Sequence, residues 1–324
     1  MKTVFLAATA LVLAVNVSYA KLSVEKGPLK KISKVALVTV SIDNIGSGSA
    51  ADAKFLSDAA AFALSNYEPG LKALGKWEMV PAPAVSELET AMAGFETSPV
   101  TLNALEKLAN QNKLPGKFDQ KDMMALAMAS MTGKKGDLAA MKGKMIAASA
   151  KELNGQLSAM RKGMVWAEGT SGLPYGLLIK RKDLAPGEEA IRDILDQVLR
   201  DYCARNGLDA VALVHLKSVT GQPGDIRVIV AGNRILSSLK VNPGIVVRGK
   251  DGEIAVDSGQ PRLDDLAPMK LAMPIFVGEK QAGGNWANFK LDLDDPAGKA
   301  RAAYNELIKD TAADLLKDLG KKLK

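Results

Sequence analysis

The side chains with obvious chemical potential are few and scattered. His215 is the chain's one histidine. A His-rich metal site is therefore excluded, and any Ser-His-Asp set would have to use this imidazole. It lies between Val214 and Leu216 in an apolar run, and no Gly-x-Ser-x-Gly elbow occurs, so it reads as a structural strand histidine. Cys203 is the one cysteine, which rules out an intrachain disulfide. Beside Tyr202 on an apolar helical face, it reads as a small buried hydrophobe. Asp43 and Asp209 fall at expected strand ends, where carboxylates could do acid–base work, yet no motif joins them. Asp292, Asp294 and Asp295 form the densest acid cluster, but without the glycine and distal glutamate of a calcium loop they read as helix caps. Gly46-Ser-Gly48-Ser-Ala-Ala51 has the setting of a dinucleotide fingerprint, between a strand and a helix. It ends in Ala, and Val80-Pro81 stands where the ribose-binding acid belongs, so a flexible turn and cap account for it. No catalytic set, metal site or cofactor is expected.

The methionines are unusual. Met123, Met124, Met128, Met131, Met141, Met145, Met160 and Met164 place eight of the chain's 13 methionines in one segment. A flexible, polarisable thioether suits core gaps and adaptable binding surfaces alike. Copper ligation would need a ladder of Met-x-x-Met steps with His or Cys, which is missing. Residues 101–165 also hold eleven of the basic residues (Lys107, Lys113, Lys117, Lys121, Lys134, Lys135, Lys142, Lys144, Lys151, Arg161 and Lys162) against five acids (Glu106, Asp119, Asp122, Asp137 and Glu152). The formal charge of the whole chain is +7, so this one segment carries the field. Scarce aromatics there argue against nucleic acid as partner. The eight methionines, Lys142, Lys144, and Trp166 and Tyr175 of the adjoining loop form the candidate contact surface. It suits an envelope protein partner, an apolar ligand or an anionic membrane. Oligomeric state is not encoded in any pattern.

The elements that would position these residues alternate between strand and helix. Residues 35–42 form a β-branched apolar strand, 50–67 a helix closed near Pro69-Gly70, and 77–80 a short strand, together a βαβ unit. Residues 84–165 are almost all helix formers, with breaks at 97–99, 114–116 and 133–136 and no convincing strand. Residues 165–176 read as a Gly-containing loop. A long amphipathic helix from 188 ends at Asn206-Gly207, and 211–216 runs apolar, as a strand covered on both faces does. Further strands are expected at 226–236, 245–247 and 253–256, the last two joined by an Asp251-Gly252 turn. An edge strand at 271–277 contains Pro274. Residues 278–295 read as irregular, and a terminal helix spans 296–319 with Ala303, Leu307, Ala313 and Leu316 on its apolar face.

The fold class is thus an α/β domain on a mixed sheet with a large helical insertion. Residues 1–20 form a signal peptide: Lys2, a short apolar core, and a small-x-small site at Ser18-Tyr19-Ala20. Cleavage after Ala20 and a periplasmic location follow, with extracellular release as the alternative. Residues 21–98 are the first part of the α/β domain, with 21–31 a loose arm. Residues 99–165 are the Met/Lys-rich insertion, and 166–324 the second part with the C-terminal helix.

The order of strand 35–42, helix 50–67, strand 77–80 and helix 188–206 running into Gly207-Leu-Asp-Ala-Val-Ala-Leu-Val214 resembles a group of bacterial envelope proteins. These are the TolB amino-terminal domain, the curli secretion protein CsgG and the LpoB-type lipoproteins. Their helix, Gly-x-Asp-Ala, apolar-strand step is similar to residues 207–214. This chain adds the long insertion and lacks their lipidated cysteine. The resemblance implies a small α/β domain with a non-enzymatic binding or assembly role in the envelope; the alternative is a carrier or sensor of an apolar small molecule or lipid.

Overall fold

The computed structural model describes residues 22–44, 50–116, 118–132, 135–220, 228–231, 234–237, 239–259, 276–280, 286–291 and 299–324. Residues 1–20, read above as a signal peptide, the 45–49 part of the glycine turn, and Asp292, Asp294 and Asp295 lie outside them.

The centre is a parallel pair, β2 (Lys34–Asp43) and β5 (Ala210–Thr220). Both are apolar on both faces, so both must be covered. A mixed seven-stranded sheet grows from this pair. On one side β3 (Glu78–Val80) pairs parallel to β2, completing the β2–α2–β3 unit with α2 (Ala50–Ala73). On the other side β8 (Leu239–Gly249) pairs antiparallel to β5, followed by β9 (Ile254–Asp257) and the short β1 (Ser23–Val24). The β8–β9 turn is the expected one, with Gly252 at φ +85° and Gly249 N–H donating to the Glu253 carbonyl at 2.8 Å.

Two helical layers cover the two faces. Phe55, Leu56, Ala63, Tyr67 and Leu71 of α2 and Tyr304, Ile308, Ala312, Leu315 and Leu319 of α9 (Lys299–Leu323) bury one face, over Val35, Val40, Ala212 and Val214. Over the other face lie α3 (Val85–Ala93), α4 (Pro99–Asn110), α6 (Lys135–Lys162) and α8 (Pro186–Arg205). Leu88, Leu105, Leu153 and Leu157 join Ile191, Ile194, Leu195 and Leu199 against Val38, Val211 and Leu213. Between α4 and α6 stands α5 (Gln120–Thr132). These helices, all between β3 and β4 (Met164–Trp166) except α8, are the large insertion in an α/β fold.

Several expectations are corrected. Pro69-Gly70 does not close α2: the helix runs through Pro69 to Ala73, and the turn beyond the proline buries Leu71 in the core shared with α9. The presumed arm holds β1 and α1 (Lys26–Lys30), anchored by buried Leu22 and Leu29. Residues 165–176 are not all loop: β4 pairs antiparallel with the end of β2, and α7 begins at Tyr175 (Tyr175–Leu178). The 226–236 strand is a hairpin, β6 (Val228–Ala231) and β7 (Arg234–Ser237). Of the expected edge strand 271–277, residues 271–275 with Pro274 lie outside the described residues; Phe276 and Val277 open β10 (Phe276–Lys280), which pairs with both β7 and β11 (Trp286–Leu291), and β11 lies in the supposedly irregular stretch. The buried line of α9 is Tyr304, Ile308, Ala312, Leu315 and Leu319; of the residues expected there, Leu307 and Leu316 pack beside it half-buried, Ala303 is half-buried and Ala313 is exposed.

A carboxylate fastens the start of the parallel pair. Asp209 accepts from Ser33 Oγ at 2.8 Å, from the Ser33 and Lys34 amides at 3.1 and 3.2 Å, and from Lys250 Nζ at 2.8 Å. Lys250 and Ser33 hold its carboxyl well below the usual carboxylate range. A carboxyl depressed in the folded state stabilises above its unfolded pKa of about 3.9 and loses that contribution as pH falls toward the folded value. Asp209→Asn is therefore expected to cost about 1.5–3 kcal/mol at neutral pH. The gap to wild type should narrow in acid, below about pH 4. Urea unfolding at both pH values measures it, and a pH-independent gap would contradict this role.

Candidate functional site

Parallel strands place their carboxyl ends together, and ligands of α/β sheets favour that edge. Here the β2–β5 register sets Ser41 opposite His215. Ser41 Oγ lies 3.0 Å from His215 Nδ1, and His215 Nε2 lies 3.1 Å from Asp43 Oδ1. Asp43 Oδ2 also accepts from the Ser218 amide at 3.2 Å, and Ser218 Oγ meets the Tyr304 hydroxyl of α9 at 3.0 Å. With Nε2–H donating to Asp43, Nδ1 is left to accept the Ser41 proton, the polarity of a nucleophile–base–acid set. Sequence reasoning weighed Asp43 and His215 separately and missed Ser41, because only strand register joins them.

The set is closed to substrate. Ser41 is fully buried, and β4 crosses it with Trp166 opposite Ser41. Ala167 N–H donates to Val40 O at 2.9 Å and Ser171 N–H to Val38 O at 2.7 Å, sealing the strand further along. Tyr175 stacks on His215 with ring centroids 5.5 Å apart. The cluster therefore ties β2, β5 and α9 together. Asp209, the other strand-end carboxylate, stands at the opposite end of the pair, in the staple described above. Among the described residues no group of three or more His, Cys, Asp or Glu is placed to hold a metal ion. Cys203 is buried, and burial pushes its thiol up to about 11.

The structure divides the candidate contact set. Tyr175 is buried, its hydroxyl 3.1 Å from Ser258 Oγ and 3.0 Å from the Gly259 carbonyl. Met145 is buried on α6, Met141 is half-buried, and Met160 packs on the core below α8. Met164 is half-buried in β4. Trp166 is half-buried with the Arg161 guanidinium 5.4 Å above its ring, and Arg161 pairs with Glu89 at 2.6 Å. Lys142 Nζ donates to Asn110 Oδ1 at 3.1 Å, while Lys144 is exposed.

Four methionines remain outside, all on α5. Met123, Met124, Met128 and Met131 are 49, 58, 65 and 88% exposed. The local sequence explains how. Ser98 caps α4, its Oγ accepting from the Thr101 amide at 3.1 Å, with Pro99 in the first turn. Asn112 at φ +56° and Gly116 at φ +135° then redirect the chain. The next helix lays buried Ala129 and half-buried Ala125 and Leu126 inward, against α6. Met124, Met128 and Met131 recur at i, i+4 and i+7 on the outward side. Lys121 lines the same shallow depression as Met124 and Met128. A surface helix normally carries polar residues there.

No family model, curated protein or solved structure matches the chain.

The closed cluster gives a direct test of its structural role. Asp43→Ala leaves the His215 Nε2 and Ser218 amide donors without their partner. A cost of about 1–3 kcal/mol is expected, read by urea unfolding. A variant as stable as wild type would show that Asp43 does not brace the sheet.

Proposed function

We propose that this protein is an exported, non-enzymatic binding or assembly-accessory protein of the bacterial cell envelope, and that its contact surface is the outward face of α5. The observation that carries this is the exposure of four methionines on one helix whose inward face is already occupied. Covering a methionine fully is worth about 1.5–3 kcal/mol, so an apolar stripe left in water is a binding surface waiting for its occupant. The signal-like residues 1–20 and the resemblance to envelope α/β proteins support the compartment. The wider candidate set contracts to α5 in this reading, since Met145 and Tyr175 serve the core.

The alternative, a carrier or sensor of an apolar small molecule or lipid, draws on a different observation. The ends of α2 and α9 flank an open concavity of about 450 Å³ lined by Leu74, Leu316 and Leu323 and by Lys76, Lys317 and Lys321. That is within the size range of small-ligand sites. The two helices approach closely beside it: a Cβ on Gly320 would lie 3.2 Å from Leu74 Cδ2.

A photo-crosslinking residue at position 128, with exposed Lys309 on α9 as the control position, tests the α5 assignment. Adducts from position 128 in the native envelope, and none from 309, are expected. Equal labelling from both positions would overturn the α5 assignment. Met124→Ser/Met128→Ser/Met131→Ser should remove those contacts while shifting stability by less than about 0.5 kcal/mol per site.

A further inference from the structure

Taking α5 as the contact face, we infer that its occupant is the surface of an anionic phospholipid layer. Three observations carry this beyond a generic apolar contact. The first is shape. The exposed methionines form a stripe along a single outward helix with only a shallow depression beside it, not a cleft between helices. At 1.5 Å per residue the helix is about 20 Å long, a length that lies in an interface plane. No helix among the described residues is long and apolar enough to cross a membrane, so the contact would be interfacial.

The second is charge. Residues 101–165 hold eleven basic residues against five acids, and Lys121 borders Met124 and Met128 directly. An ammonium beside an apolar stripe matches lipid phosphates above acyl chains, at about 1 kcal/mol per basic residue near an anionic surface. A second copy of the chain, seated face to face, would instead bring two basic segments together.

The third is residue type. Protein–protein anchors are enriched in Trp, Tyr and Arg. Residues 101–165 contain one aromatic, Phe118, and one arginine, Arg161, which is held by Glu89 and Trp166. Ten lysines provide long-range attraction without bidentate geometry. Flexible methionines need no shaped pocket and adapt to fluid chains.

The test is vesicle flotation with the chain from residue 21 onward. Vesicles of phosphatidylglycerol with phosphatidylethanolamine are compared with vesicles of phosphatidylcholine alone. Binding to the anionic vesicles should be at least about tenfold tighter and should fall with added salt. Met124→Ser/Met128→Ser/Met131→Ser should lose it, and Lys121→Glu should weaken it, with wild-type circular dichroism and thermal unfolding in both variants. Equal binding to both vesicle types, or binding unchanged by the methionine substitutions, overturns the inference. If anionic vesicles are ignored while position 128 still crosslinks to an envelope protein, the lipid inference falls and the α5 contact face stands. If both fail, both readings fall.

Discussion

The rest of the structure depends on the pairing of β2 with β5, two parallel strands whose bonded residues Ser41 and His215 lie 174 positions apart. Neither strand has a polar face to offer water. Val35, Val40, Ala212 and Val214 point one way, and Val38, Val211 and Leu213 the other. Burial on both faces requires two helical layers, and no single βαβ unit can supply both. The chain meets the requirement with α2 and α9 on one side and with α3, α4, α6 and α8 on the other. Carboxylates secure both ends of the pair: Asp209 at its start, and Asp43 with His215 at its finish.

That constraint also decides which residues are free to act. A long segment of helix formers is recruited as the second layer, so its methionines on α6 become half-buried or buried packing groups. The buried ion pair of Arg248 with Asp196, together with the Arg248 bond to the Leu178 carbonyl at 2.9 Å, locks α8 and the 171–180 stretch over the sheet. Burial raises the Asp196 carboxyl, and the Arg248 charge opposes that rise. Under this cover Ser41, His215 and Asp43 acquire the contacts of a reactive set without access for a substrate. The α5 helix is the exception: it packs on α6 through Ala125, Leu126 and Ala129 and keeps a second apolar face outward.

Much of the central architecture was legible in the sequence because its periodicity is strong. The β2 run, the α8 stripe, the Asn206-Gly207 stop and the Asp251-Gly252 turn each act through local chemistry, and each appears within a few residues of its expected place. Tertiary effects account for the misses. The α2 helix continues through Pro69 and buries Leu71 beyond it, β4 forms through pairing with the distant β2 rather than through its own composition, and β11 forms by pairing with the preceding β10. Of the candidate site, the methionine-rich segment was visible, but its division was not. Whether a methionine on α5 or α6 faces water depends on which helix lies over the sheet, and that is a property of packing. The Ser41–His215–Asp43 contact was equally hidden, since it exists only in the register of β2 against β5.

The central claim is that the outward face of α5 is covered when the protein is in its working place. Methionine oxidation footprinting tests it directly, because sulfoxide formation follows exposure of the thioether. Purified protein and native envelopes would receive the same brief peroxide pulse, with oxidation at each methionine read by mass spectrometry. The account predicts rapid oxidation of Met124, Met128 and Met131 in the purified protein, marked protection of the same three in envelopes, and slow oxidation of buried Met145 in both. Equal oxidation of the α5 methionines in both preparations would contradict it.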